Sequence, residues 1–124
     1  MSADDPSPQA LVSAARDLIR VHDTRTAGMW PRASALLGRQ AVELSMTRLW
    51  TAVAPGLHSA SPRCQLLCLR ELLGDRHLAR RVSAAWSGLS RASHHRIYEL
   101  PPTAGELSAW LECAGEFAEA VERG

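Results

Sequence analysis

The stretch from Arg91 to Tyr98 carries most of the side chains that could do chemistry in this chain. On a helix each residue turns by about 100°, so Arg91, His94, His95 and Tyr98 are predicted to lie on one side. Histidine transfers protons near neutral pH, and arginine holds phosphate and stabilises charge that develops on it. These groups suit metal-free RNA cleavage, in which a histidine serves the 2′-hydroxyl or the leaving oxygen. We therefore predict Arg91, His94 and His95 as catalytic residues.

Three further residues are predicted to bind the substrate. Tyr98 could stack on a base or orient a phosphate, Arg96 adds a cation, and Glu43 could anchor an arginine of the site. A structural interpretation stands beside this one. Arg39 and Glu43 have the spacing of a solvated helical ion pair, and cations in a last helical turn interact favourably with the helix dipole without doing chemistry.

The helix that carries these groups has two different faces. Large apolar residues form one face, and the side with Arg91 continues backwards into Arg80, Ala84, Ser87 and Gly88. Small residues let another backbone come close, so we expect this face to pack as well and to leave Arg91 and the histidines at the edge of a crevice. The packing partner is either another helix of the chain or a second copy of it.

Helical periodicity appears along almost the whole chain, whereas strand-like alternation is nearly absent. Ser61 before Pro62 has the pattern of a helix N-cap, and Thr103 with Glu106 has capping-box spacing. The predicted fold is all-α, an up-and-down bundle of four to five helices. The predicted helices cover residues 7–23, 31–53, 61–74 and 76–98, and a last one begins after 103.

Length and composition are those of one globular domain. The 124 residues are 46% hydrophobic and 22% charged, which predicts a single domain over 1–124 with a flexible segment at 1–8. The first residues lack the pattern of a signal peptide, and no apolar run reaches the ~20 residues that span a bilayer, so no membrane association and a cytoplasmic location are expected. The net charge is +1 and all 14 basic residues are arginine. Binding to nucleic acid would therefore need a local patch.

Cysteine usage and motif content predict no metal and no cofactor. Cys64, Cys68 and Cys113 make an odd count, which argues against a disulfide framework and favours buried structural thiols. Cys64 and Cys68 share a helical face, but two ligands do not close a zinc site. The chain contains no glycine-rich phosphate loop and no nucleophile elbow.

Two segments together resemble the HEPN (higher eukaryotes and prokaryotes nucleotide-binding) family. Gln40-Ala41-Val42-Glu43-Leu44 is similar to the start of an amphipathic helix in that family, and the segment from Arg91 to His95 resembles its arginine-then-histidine motif. The resemblance implies an all-α bundle that is commonly a homodimer, with paired arginine–histidine sites in a cleft at the interface. Many such domains are metal-independent RNases, and some are toxins neutralised by a nucleotidyltransferase-type antitoxin. Others are inactive and bind RNA, nucleotides or a partner protein.

Two functions from different classes follow. The first is a HEPN-like, RNA-associated domain that acts as a dimeric, metal-independent endoribonuclease or toxin-type RNase. The alternative is a catalytically inactive helical protein–protein interaction module, and the arginine–histidine spacing, which is shorter than in the family's usual motif, favours it. A sensor with a tryptophan-lined pocket between helices is a third possibility.

Overall fold

The chain folds into five α-helices in a computed structural model that describes residues 6–20, 30–94 and 100–124. A short 3-10 helix, Pro55–Ser59, joins the second and third helices. The part of the chain described contains no strand, and the predicted all-α class is confirmed. The helices are α1 (Pro8–Arg20), α2 (Trp30–Val53), α3 (Pro62–Leu72), α4 (Arg76–Ser93) and α5 (Ala104–Arg123).

Side-chain caps fix where three of these helices begin. The hydroxyl of Ser61 accepts from the backbone N–H of Cys64 at 3.2 Å, as predicted for α3. Asp75 caps α4 by accepting from the N–H of Leu78 at 3.0 Å. Thr103 and Glu106 form a reciprocal capping box, with both bonds at 3.0 Å. Each cap satisfies an N–H group that the first helical turn cannot bond internally.

Helix α2 is the centre of the bundle, because it contacts each of the other four helices. Its Trp50 is fully buried, and the indole N–H donates to the side-chain oxygen of Gln65 in α3 at 2.9 Å. All five helices contribute to one connected hydrophobic core. The largest fully buried side chains in it are Trp50, Phe117, Met46, Leu69, Leu89, Leu107 and Leu111.

Two glycines allow close helix packing. A Cβ on Gly38 of α2 would lie 2.7 Å from Cδ2 of Leu111 and 3.0 Å from Cδ2 of Leu89, where α2, α4 and α5 meet. A Cβ on Gly88 of α4 would lie 2.5 Å from ring atoms of Trp110 in α5. Such positions accept glycine despite its cost of about 1 kcal/mol in a helix interior, because any larger residue would force the neighbouring side chain to move or the helices to separate.

The prediction that the fourth helix runs to residue 98 is wrong. Helix α4 ends at Ser93, and His94 is its C-cap with the non-helical backbone angles φ −110° and ψ 24°. The N–H of His94 bonds to the carbonyl of Arg91 at 3.2 Å, which is the tightening common in a last turn. Residues 95–99 lie outside the described residues, as do 21–29, which include the predicted end of the first helix.

None of the described helices is both long and apolar enough to cross a membrane.

Candidate functional site

A polar cluster lies where the middle of α2 meets the C-terminal half of α4. Arg39 and Glu43 of α2 lie on one face because they are four residues apart. Trp86 and Ser93 lie seven apart on the facing side of α4, and His94 follows at the helix end. We call these five residues the Arg39–His94 cluster. They belong to two helices that pack directly on each other, so the bundle itself sets their positions.

The carboxylate of Glu43 contacts one residue of its own helix α2 and one residue of α4. Its Oε1 lies 3.3 Å from Nε of Arg39 and accepts the indole N–H of Trp86 at 3.2 Å. The exposed fractions of the Arg39 and Glu43 side chains are 25% and 36%, so the pair is partly shielded from solvent. The Arg39–Glu43 contact is the helical ion pair that their spacing predicts. The role of Glu43 as an anchor for an arginine of the predicted site remains a prediction.

His94 contacts the same arginine. Nη1 of Arg39 lies 3.1 Å from Nε2 of His94 and 3.5 Å from the hydroxyl of Ser93. Arginine only donates hydrogen bonds, so Nε2 of His94 must accept, and the ring proton of a neutral imidazole is then on Nδ1. Nε and Nη2 of Arg39 make no hydrogen bond to the described residues, and Nη2 can donate to a phosphate oxygen. The cluster thus joins an oriented guanidinium to an imidazole that can accept a proton.

Arg91 lies on a different surface. Its exposed side chain lines a cavity of about 400 Å³ against α5 and the segment before it, together with Trp110 and Glu106. His94, in contrast, contacts α2. The structure therefore brings His94 to Arg39, and the predicted grouping of Arg91 with His94 on one helical face depended on a helix that continues past residue 93.

Three predicted site residues, His95, Arg96 and Tyr98, lie outside the residues that the structure describes. Their predicted roles in catalysis and substrate binding remain predictions.

The face of small residues on α4 has more than one environment. Gly88 is buried under Trp110 of α5, so at this point the packing partner is another helix of the same chain. Arg80, Ala84 and Ser87 are exposed. The part of this face near Gly88 is explained by the bundle, and the rest is open surface.

The cysteines differ from the expectation of buried thiols. Cys113 is buried, Cys68 is half-buried and Cys64 is exposed, and all three are free thiols. Burial raises the pKa of the Cys113 thiol to about 11, although nearby Arg81 opposes the shift. Among the described residues, no three His, Cys, Asp or Glu side chains group closely enough to hold a metal ion together.

Sequence reasoning missed three members of the cluster: Arg39 as the cation next to the histidine, Ser93 as a second acceptor for it and Trp86 as a donor to Glu43. The spacing of Arg39 and Glu43 was visible, but it indicates only that the two residues pair. The apolar period of α4 predicts that the ring of Trp86 is buried. No local pattern shows that its indole N–H reaches the carboxylate of Glu43. Half-burial of an indole with its N–H directed at an acceptor is common for tryptophan.

Comparison with known protein families, with curated proteins and with solved structures finds no match for this chain.

Proposed function

We propose that this chain is a HEPN-like, RNA-associated domain and that the Arg39–His94 cluster binds and cleaves an RNA phosphodiester without a metal ion. The observation that carries the proposal is the 3.1 Å contact between Nη1 of Arg39 and Nε2 of His94. It combines a phosphate-binding cation with a proton acceptor at one point of the surface. Glu43 supports the proposal because its carboxylate lies 3.3 Å from Nε of Arg39 and keeps a negative charge beside the guanidinium, although the two atoms form no hydrogen bond.

The chemistry would proceed through the substrate's own hydroxyl. Arg39 would turn from His94 to a phosphate oxygen, which frees Nε2 of the histidine. His94 would take the proton of the 2′-hydroxyl, and the 2′-oxygen would bond to the neighbouring phosphorus as the bond from phosphorus to the 5′-oxygen breaks. The 5′-oxygen would take up a proton from solvent, so that the products are a 2′,3′-cyclic phosphate and a 5′-hydroxyl. Arg39 would stabilise the extra negative charge on the phosphorane oxygens.

Assembly and partners belong to the same proposal. The resemblance implies a homodimer in which arginine and histidine residues of two chains meet in a cleft, and the predicted roles of Arg91 and His95 belong to that interface. The exposed small residue Ala84 favours this arrangement because it permits close approach of a second chain. A nucleotidyltransferase-type antitoxin partner, a toxin role and a cytoplasmic location rest on the resemblance and the sequence alone.

The test is cleavage of single-stranded RNA by the purified protein in the presence of a metal chelator. We expect His94→Ala to lower the cleavage rate by at least ~100-fold, because removal of a general base usually costs that much. His77→Ala, which removes an exposed histidine at the start of α4, is the matched control and should cleave like the wild type. Circular dichroism would show that both variants keep their helices. Equal cleavage by His94→Ala and wild type would refute the catalytic proposal.

RNA binding without cleavage is the second candidate. Within the described part of the chain the cluster contains a single imidazole, so the group that accepts the 2′-hydroxyl proton has no partner acid for the leaving oxygen. Binding that persists in His94→Ala, with intact RNA for every variant, would favour this second function.

A further inference from the structure

A groove with a basic character lies between α3 and α4 and includes Trp86 in its lining. Arg63, Leu67 and Arg70 line it from α3, and Ser83, Trp86 and Ser87 line it from α4. The groove has a volume of about 250 Å³. We call it the α3/α4 groove.

The charged side chains that line the groove, Arg63 and Arg70, are both positive. Arg63 and Arg70 are both exposed and make no ion pair with the residues that the structure describes, and no carboxylate lines the groove. The two arginines are seven positions apart on α3, which places them about 10 Å apart along the helix axis. They can therefore contact two different anionic groups of one extended ligand. Arginine suits phosphate in particular, because its planar fork binds two oxygens at once.

Trp86 gives the groove a flat aromatic surface. The indole is half-buried, and its N–H is already used by Glu43. This hydrogen bond fixes the ring while the ring itself remains part of the groove lining. Leu67, which is 60% exposed, adds apolar surface opposite. Phosphate-binding arginines beside a stacking ring are the combination with which proteins hold unpaired nucleic-acid strands.

The groove and the Arg39–His94 cluster are physically connected. Trp86 lines the groove and donates to Glu43, which pairs with Arg39, the residue in contact with His94. Trp86 is therefore shared by the groove lining and the cluster, so a ligand that stacks on its ring would lie beside the residues of the cluster. A duplex does not fit this arrangement, because its bases are already stacked and cannot lie on the indole.

We infer that the α3/α4 groove binds a single-stranded RNA segment next to the cleaved phosphodiester, with Arg63 and Arg70 on phosphates and a base stacked on Trp86. The inference rests on the proposed function and adds to it the substrate class and the site that holds the strand.

The test measures binding of a fluorescently labelled short oligouridylate whose 2′-hydroxyls are methylated, so that it cannot be cleaved. Arg63→Gln/Arg70→Gln is compared with Arg16→Gln/Arg123→Gln, a control that removes two exposed arginines from α1 and α5 and changes the net charge equally. We expect the groove variant to bind at least ~10-fold more weakly than the control, and its log–log salt slope to fall by about 1.4, or ~0.7 for each lost phosphate contact.

Stacking has its own readout. A base on Trp86 quenches its fluorescence, so the oligonucleotide should quench the wild type more than Trp86→Phe, which keeps an aromatic ring but not the indole emission. Equal quenching in the two proteins would contradict a base at Trp86.

The remaining outcomes separate the two proposals. If the wild type and the groove variant bind the oligonucleotide equally, the groove inference fails while cleavage that depends on His94 still stands. If the wild type binds no RNA and cleaves none, both fail. Equally tight, arginine-dependent binding of an acidic peptide would overturn the assignment to RNA.

Discussion

Arg39 and His94, which are 55 residues apart in the chain, meet with Nη1 and Nε2 separated by 3.1 Å. The first is held in the middle of α2 by Glu43, and the second stands at the end of α4 as its C-cap. The contact therefore depends on the α2–α4 packing and on the point where α4 ends. Predictions about the site follow from this dependence.

Replacing Glu43 by glutamine should weaken the site more than the fold. The variant keeps the size of the side chain but loses the ion pair with Arg39 and weakens the hydrogen bond from Trp86. Since the pair is partly exposed, we expect the free energy of unfolding to fall by no more than about 1 kcal/mol. Cleavage in the presence of chelator should fall by about 10-fold, because the guanidinium is no longer oriented.

Glu119→Gln is the control for this change, since its ion pair with Arg123 at 3.9 Å is exposed and belongs to α5 alone. Denaturant unfolding and initial cleavage rates would be measured on both variants. A Glu43→Gln protein as active as the Glu119→Gln protein would show that the anchor has no functional role.

Alanine at position 88 should destabilise the bundle. Its Cβ would meet the Trp110 ring at 2.5 Å, so α4 and α5 must separate or the indole must move. Overpacking of this kind usually costs about 1–3 kcal/mol, more than the ~1 kcal/mol that alanine gains in helix propensity.

Gly115→Ala supplies the matched comparison within α5. The nearest atoms to its added Cβ are 3.7 Å and 3.9 Å away, which is ordinary contact. We expect this variant to be as stable as the wild type or more stable by up to about 1 kcal/mol. The melting temperatures of the two variants would be compared by thermal unfolding. A Gly88→Ala protein with the same melting temperature as Gly115→Ala would argue against tight α4–α5 packing at Trp110.

The link between Arg81 and Glu116 should make stability depend on pH in acid. Arg81 of α4 donates to both carboxylate oxygens of Glu116 in α5, at 2.6 Å and 3.2 Å. This hydrogen bonding holds the pKa of Glu116 below its ordinary value of 4.5. Well above pH 4.5 the carboxylate is ionised in the folded and the unfolded chain, and the link contributes fully. As the pH falls further, the unfolded chain takes up the proton first, so the contribution is lost progressively.

The free energy of unfolding of the wild type and of Glu116→Gln would be measured with urea from neutral pH down to about pH 3. We expect the wild type to be the more stable at neutral pH and the difference to shrink as the pH falls below 4.5. Arg81→Gln should show the same convergence because it removes the same link. A difference that stays constant down to pH 3 would contradict the coupling.

Thiol reactivity should separate the cysteines by burial. Cys113 is 3% exposed and its pKa is raised to about 11, so little thiolate is present at moderately alkaline pH and reagents cannot reach it. A Cys64→Ser/Cys68→Ser protein should therefore react with a disulfide reagent only when it unfolds. The reciprocal Cys68→Ser/Cys113→Ser protein, which keeps the exposed Cys64, should react at once. Fast labelling of Cys113 in the folded protein would show that α5 is not packed as described.

Much of the fold was predictable because it depends on interactions within a few residues. Ser61 before Pro62, and Thr103 with Glu106, place helix starts through hydrogen bonds that span three residues. The apolar period identifies the buried faces, and Leu78, Val82 and Leu89 are buried as it predicts. The end of α4 was the exception: residues 94–98 have no strong helix breaker before Pro101, and the sequence pattern alone extends the helix too far.

The site was only partly predictable. Glu43 and His94 are predicted from the sequence as site residues and both lie in the cluster, but the spacing of their shared partner Arg39 indicates only half of a solvated helical ion pair. Arg91 was selected as well, and it lines a separate cavity beside Trp110.

The amino-acid sequence by itself determined the helices, most of their ends and the sides they bury, because backbone hydrogen bonds and side-chain caps act over three or four residues. Only the tertiary structure decided that Arg39 meets His94, that Trp86 reaches Glu43 and that Gly88 accepts the ring of Trp110. These contacts depend on how far each helix is rotated and shifted against its neighbour, and many side chains packed together set that position at once.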